Sequence, residues 1–199
     1  WPVAQGLGRE DVSAFVQRAT QYPALWGADA SKLSDTDLRM LAEVVLRKLR
    51  DYDFTAIDSA LMVRSLASPV LTRLKTKLDL FPTPRAIAWD MMSALPLTTD
   101  LSICDATSGT GTFLVTAGHC LWETEGPDTD IGPILRRLFT AGDQSLLASD
   151  LTRIALDLAF GWDHQPWRMH LGSVDKTISD LDTRRQWALV GNLPWSGRG

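Results

Sequence analysis

Metal ligands of the soft kind are scarce in this chain. Its 199 residues include 2 cysteines and 3 histidines. His119, His164 and His170 share no ligand spacing with one another or with Cys104 and Cys120, so no metal site is expected. Two thiols make no disulfide framework, and both read as free buried groups. No apolar run is long enough to cross a bilayer. No basic start followed by an apolar segment marks a secretory leader, and the expected location is the cytoplasm. A cationic excess is also missing. The balance is 20 Lys+Arg against 24 Asp+Glu, a formal net charge of −4. That excludes a chain whose whole surface is built for nucleic acid. It leaves only local basic groups, such as Arg64, Arg73, Lys75 and Lys77, or Arg184, Arg185 and Arg198. The chain opens on Trp1 rather than Met, as a processed or truncated polypeptide does.

The remainder has an ordinary globular balance, 45% hydrophobic and 22% charged. The length suits one large domain, or one domain with a helical extension. Residues 1–80 read as helical, with Leu38, Leu41, Ala42, Val45, Leu46 and Leu49 forming one apolar stripe. The pattern changes at Phe81-Pro82-Thr83-Pro84, where two prolines enforce an extended lead-in. From there strands and helices alternate. Strands are expected at Leu101–Cys104, Ser145–Ser149, Arg168–Leu171 and Trp187–Gly191. Helices are expected at Arg85–Leu95, Thr112–Trp122, Ile134–Phe139 and Leu151–Phe160. Alternation of this kind predicts an α/β fold with a mostly parallel sheet covered by helices.

Three segments carry chemistry. The first is Asp105-Ala-Thr107-Ser-Gly109-Thr-Gly111, between a strand and a helix. Paired glycines there admit a ligand close to the backbone at a helix N-terminus. Leu114 stands where a G-x-G-x-x-G loop has its third glycine, and no Lys follows, so the loop is neither a dinucleotide fingerprint nor a P-loop. An acid directly before the loop repels pyrophosphate and suits an amine or a cation. The second is Asp150, placed by this reading after the next strand, where a carboxylate can accept ribose hydroxyls. Taken alone, it reads more readily as a helix N-cap, and its place one strand after a glycine loop favours the ribose role. The third is Asn192-Leu193-Pro194-Trp195, after the last strand. An exocyclic amine on a base is a weak nucleophile because its lone pair is delocalised into the ring. Two carbonyl acceptors, Asn192 Oδ1 and the Pro194 backbone oxygen, can draw it towards tetrahedral geometry. Trp195 offers a flat face for an extruded base.

In this order the segments resemble the amino-directed, S-adenosylmethionine-dependent DNA methyltransferases, in particular the N6-adenine enzymes of the type I modification subunit and the related γ-order type II enzymes. That family runs from a Phe/Tyr-x-Thr-Pro element through Asp-Pro-x-x-Gly-Ser-Gly and a ribose acid to Asn-Pro-Pro-Tyr/Phe/Trp. The resemblance covers residues 80–195 well and the helical region before them loosely. It implies a Rossmann-like methyltransferase domain over 81–199, following an N-terminal helical region over 1–80. It implies cofactor contacts from Phe81, Thr83, Pro84, Asp105, Thr107, Gly109, Gly111, Phe113, Asp150, Leu151, Ser173 and Val174. It implies catalytic roles for Asn192, Pro194 and Trp195. The implied reaction is direct methyl transfer to the N6 amine of a flipped adenine in DNA, within restriction-modification or phage defence.

The chain departs from the pattern at Ala106, Ser108, Thr110, Ser173 and Leu193. The family sheet has seven strands, whereas four are expected here, so the sheet is incomplete. The missing strands and any recognition domain are expected from a C-terminal half or a companion chain. Two other readings share these residues: a methyltransferase acting on RNA or a protein glutamine, and a degenerate cofactor-binding scaffold.

Overall fold

The computed structural model describes residues 83–161 and 165–193, all within a compact unit, Asp58–Gly199. The helical region expected over 1–80, with Phe81, Pro194 and Trp195, lies outside the described residues.

The elements run α1 (Arg85–Ser93), β1 (Ser102–Asp105), α2 (Thr112–Glu125), α3 (Ile131–Leu138), β2 (Phe139–Asp143), α4 (Leu146–Phe160), β3 (Arg168–Leu171), α5 (Val174–Ser179) and β4 (Trp187–Val190). Pro84 starts α1, where its fixed φ suits a helix and its missing N–H is not needed. Ala88 and Met92 form the buried stripe of α1, which packs along α2. Glycines at positive φ bound α2, Gly111 before it and Gly126 after it. Ser145 caps α4 by accepting the Ala148 N–H at 3.3 Å, and Gly161 ends that helix.

Among the described residues the four strands are all parallel, in the order β3-β2-β1-β4. The chain steps outward from β1 to β2 to β3, then returns to pair β4 on the other side of β1. That reversal opens a crevice at the carboxyl ends of β1 and β4. Ile103, Phe139 and Ala141 join the core with Leu114, Leu135, Leu151 and Leu156. Gly142 points to the opposite face, where a Cβ would come within 2.5 Å of Thr177 Oγ1 on α5. Helices therefore cover both faces, as a right-handed parallel sheet requires.

The structure corrects the second strand. Ser145–Ser149 is not a strand but the cap and first turn of α4. The strand is Phe139–Asp143, joined directly to α3, which spans Ile131–Leu138. A short run such as Leu146-Leu147-Ala148 has no periodicity of its own to separate strand from helix. Phe-Thr-Ala-Gly-Asp carries little apolar bulk because its Gly142 position has room for no side chain. The six-residue helix α5 had no counterpart in the expected elements.

An unforeseen polar strap holds the chain before β3. Arg136 is buried on α3, with its guanidinium 4.3 Å from the centre of the Trp167 ring. It donates to the carbonyls of Gln165 at 3.0 Å and Gly161 at 2.6 Å. Asp157 accepts from Trp167 Nε1 at 2.8 Å and from Arg136 at 3.4 Å. The buried charge is thereby paired and hydrogen-bonded, the condition under which its desolvation is tolerated.

Close packing on α2 generates a prediction whose sign opposes helix propensity. Ala is favoured over Gly within a helix by about 1 kcal/mol. A Cβ on Gly118, however, would lie 2.7 Å from Phe160 Cε2 and 2.9 Å from Leu135 Cδ1. Gly118→Ala is expected to lower the thermal midpoint, since overpacking costs about 1–3 kcal/mol. An unchanged or raised midpoint by circular dichroism contradicts this packing.

Candidate functional site

The candidate site lies at the carboxyl ends of β1, β2 and β4. Asp105 ends β1 and is 1% exposed. Its Oδ1 accepts the Thr107 N–H at 3.0 Å, with the Thr107 hydroxyl at 3.5 Å. Its Oδ2 is buried and has no hydrogen-bond partner among the described residues. Burial raises the Asp105 carboxyl to about 7, the Thr107 N–H works against this, and nearby Asp143 adds to the rise.

From Asp105 the chain turns through the glycine loop. Ser108 N–H donates to the Gly142 carbonyl at 2.9 Å, and Gly111 N–H to the Ser108 carbonyl at 2.7 Å. Gly109 and Gly111 have φ of +56° and +79°, the region that glycine occupies without strain. Gly109 N–H donates to Asp143 Oδ2 at 3.1 Å.

Asp143 is a candidate site residue outside the sequence expectations. The acid at the end of the second strand is Asp143 rather than Asp150. Its Oδ2 takes Gly109 and its Oδ1 takes the Ser145 N–H at 2.8 Å, so one carboxylate ties the glycine loop to the start of α4. Each oxygen keeps accepting capacity beyond these bonds. The available signal was an acid two residues before the helix-capping Ser145. Asp150 and Leu151 lie inside α4, Asp150 fully buried with Arg153 Nη1 4.0 Å away, and Leu151 in the core. The strand-end argument for Asp150 therefore passes to Asp143.

The acceptor side begins at β4. Val190 pairs with Asp105 across the sheet. Gly191 follows at φ +147°, and a Cβ there would stand 2.9 Å from Asp105 Oδ1 and 2.7 Å from Thr107 Oγ1. The two loops thus touch at a position where only glycine fits. Asn192 leaves β4 directly from this contact and is half-buried, with Leu193 exposed beyond it.

The other candidates divide. Thr83 and Pro84 lead into α1, the Pro84 carbonyl accepting the Ala88 N–H at 3.1 Å. Phe113 is a core residue of α2. Gly172 N–H donates to the Asp143 carbonyl at 3.0 Å, which sets Gly172-Ser173-Val174 beside the end of β2. The Ser173 hydroxyl caps α5 by accepting the Lys176 N–H at 3.3 Å. Among the described residues no group of three His, Cys, Asp or Glu could hold a metal ion, and no helix is long and apolar enough to cross a membrane.

No protein-family model and no curated protein matches the chain. A solved structure does: a protein assigned as the modification subunit of a type I restriction enzyme from Vibrio vulnificus YJ016. The match has a TM-score of 0.50 and 21% identity, and covers 85% of this chain and 33% of that one. The chain therefore spans about a third of the length of the structure it matches. The likeness is one of fold, a parallel α/β sheet with helices on both faces.

Asp105 generates a pH-dependent prediction. Its carboxyl titrates at 3.8 ordinarily and at about 7 in the fold. The folded state therefore holds the proton more tightly, and stability is lost as pH rises from 3.8 through about 7. The loss is on the order of 4 kcal/mol. Asp105→Asn is expected to raise the thermal midpoint at pH 8 by at least about 3 °C. At pH 3.5, where both states are mostly protonated, the gain should nearly vanish. An equal gain at both pH values contradicts the buried-carboxylate assignment.

Proposed function

We propose that this chain is the cofactor-binding part of an S-adenosylmethionine-dependent DNA methyltransferase acting on the N6 amine of adenine, within restriction-modification or phage defence. The observation that carries the reading is the junction of Asp105 with Gly191, which joins a cation-suited glycine loop to Asn192 at the point where the strand order reverses.

The residues present fit the cofactor. Asp105 Oδ2 is a buried acceptor without a partner among the described residues, the group an ammonium needs. Gly109 and Gly111 leave the loop free of Cβ atoms. S-adenosylmethionine supplies an electrophilic methyl group on a sulfonium sulfur. In this reading Asp105 takes the cofactor's amino group and Thr107 holds the Asp105 carboxylate in place. Asp143 accepts the ribose hydroxyls, in the role first given to Asp150. Thr83 and Pro84, with Phe81, flank the methionine end, and Ser173 and Val174 flank the adenine. Phe113 and Leu151 support from the core.

On the acceptor side, the Asn192 side-chain carbonyl and the Pro194 backbone carbonyl accept the hydrogens of the target amine and make its lone pair available. Trp195 stacks on the extruded adenine. The rest of the polypeptide or a companion chain completes the sheet and reads the DNA sequence. The protein works in the cytoplasm.

Asn192→Ala is expected to reduce methyl transfer to adenine-containing DNA by at least about 100-fold, the scale of losing one preorganised polar contact. Cofactor affinity should stay within about 3-fold, because Asn192 faces the acceptor in this reading. Labelled S-adenosylmethionine with DNA, RNA and protein acceptors, alongside calorimetric binding, checks both expectations. A mutant as active as wild type removes Asn192 from catalysis. In wild type, cofactor affinity should rise with pH through about 7, as Asp105 ionises to meet the ammonium. A flat profile between pH 6 and 8 removes Asp105 from that role.

A further inference from the structure

The glycine loop is also held from behind, by a residue outside every motif. Thr152 lies in α4 and is fully buried. Its hydroxyl donates to the Gly109 carbonyl at 3.1 Å and stands 3.1 Å from Ser108 Oγ. A hydroxyl carries one proton and accepts through its lone pairs, so it serves both partners at once when Ser108 donates to it. Threonine within a helix commonly returns its proton to the carbonyl four residues back. Here it reaches a loop 43 residues away in sequence.

Two further features make this a clamp. Asp143 Oδ2 takes the N–H of the same Gly109, so both backbone groups of one loop residue are bound by side chains from β2 and α4. Thr152 Cα and Cγ2 each lie 3.3 Å from where a Cβ on Gly111 would stand. Both glycines have positive φ, and without outside contacts such residues range widely.

We infer that Thr152 is a positioning residue for the nucleoside cofactor site: its hydroxyl, opposite Asp143, holds Gly109 and Ser108 in the shape that receives the cofactor. The inference rests on the methyltransferase reading above. Without the hydroxyl, the loop must be ordered when the ligand arrives, and that cost comes out of affinity.

The test compares Thr152→Val, which keeps the shape and loses the hydroxyl, with Thr152→Ser, which keeps the hydroxyl. Both are made in the whole chain. S-adenosylhomocysteine binding at pH 8 is measured by calorimetry, and amide exchange is followed over residues 106–112. Thr152→Val is expected to weaken binding by at least about 10-fold, on the scale of one lost ordering contact, and to speed exchange in the loop. Thr152→Ser should stay within about 3-fold of wild type, since the hydroxyl remains. If the valine variant does not fold, Thr152→Ala takes its place in the same comparison. Wild-type binding in a valine variant overturns the role of Thr152 alone. So does a serine variant that loses as much affinity as the valine one. A wild-type chain that binds no S-adenosylhomocysteine overturns the nucleoside reading, and the role of Thr152 with it.

Discussion

A carboxylate without bulk water lies at the centre of this fold. Asp105 ends β1, one of the two inner strands of the sheet, and burial lifts its carboxyl to about 7. Only part of the group is compensated, by the Thr107 N–H on Oδ1. A residue chosen for stability would not leave Oδ2 buried with no partner in the described structure. On the function proposed above, stability and ligand capture oppose each other at this position, a common arrangement at binding sites. The surrounding geometry follows from holding that group still. The glycine loop leaves from it, and Gly191 closes against it from β4.

The contacts around Asp105 are short because side chains are left out. Gly191 meets Asp105 and Thr107, Gly111 meets Thr152, and Gly142 meets Thr177. Gly191 and Gly142 come closer to their neighbours than a Cβ allows, and Gly111 would take one only with a small shift of Thr152. The gaps are filled by small hydroxyl side chains, which pack like a methyl group and also hydrogen-bond. The hydroxyls of Thr152 and Ser108 join loop to helix in this way. Asp143 adds a charge-assisted link between the glycine loop and the start of α4. Farther from the site, Arg136, Asp157 and Trp167 serve the same purpose before β3, with a paired charge and an aromatic face.

Much of this was legible along the chain. The apolar strand before Asp105 was found to within one residue, as was the one after Gln186, and Arg168–Leu171 matched at both ends. These are short runs with clear punctuation: an acid and glycines after one, Gly191 and a proline after another. The second strand was misplaced because Phe139–Asp143 abuts α3 without a turn and is built of small residues. That slip moved the strand-end acid from Asp143 to Asp150, inside a helix. Arg136 and Thr152 carry no local signal at all, since their partners lie 21 to 44 residues away.

What the amino-acid order determined by itself is local: which segments alternate as strand and helix, where glycines permit positive φ, and that an acid precedes one loop while an asparagine follows the last strand. Periodicity and turn chemistry act over a few residues, and they suffice for that. The tertiary structure alone decided that β4 returns to pair with β1, that Gly191 lies against Asp105, and that Asp143 and Thr152 grip Gly109 from two elements. Those outcomes depend on long-range pairing and on the space left between packed backbones, which no local window of sequence contains.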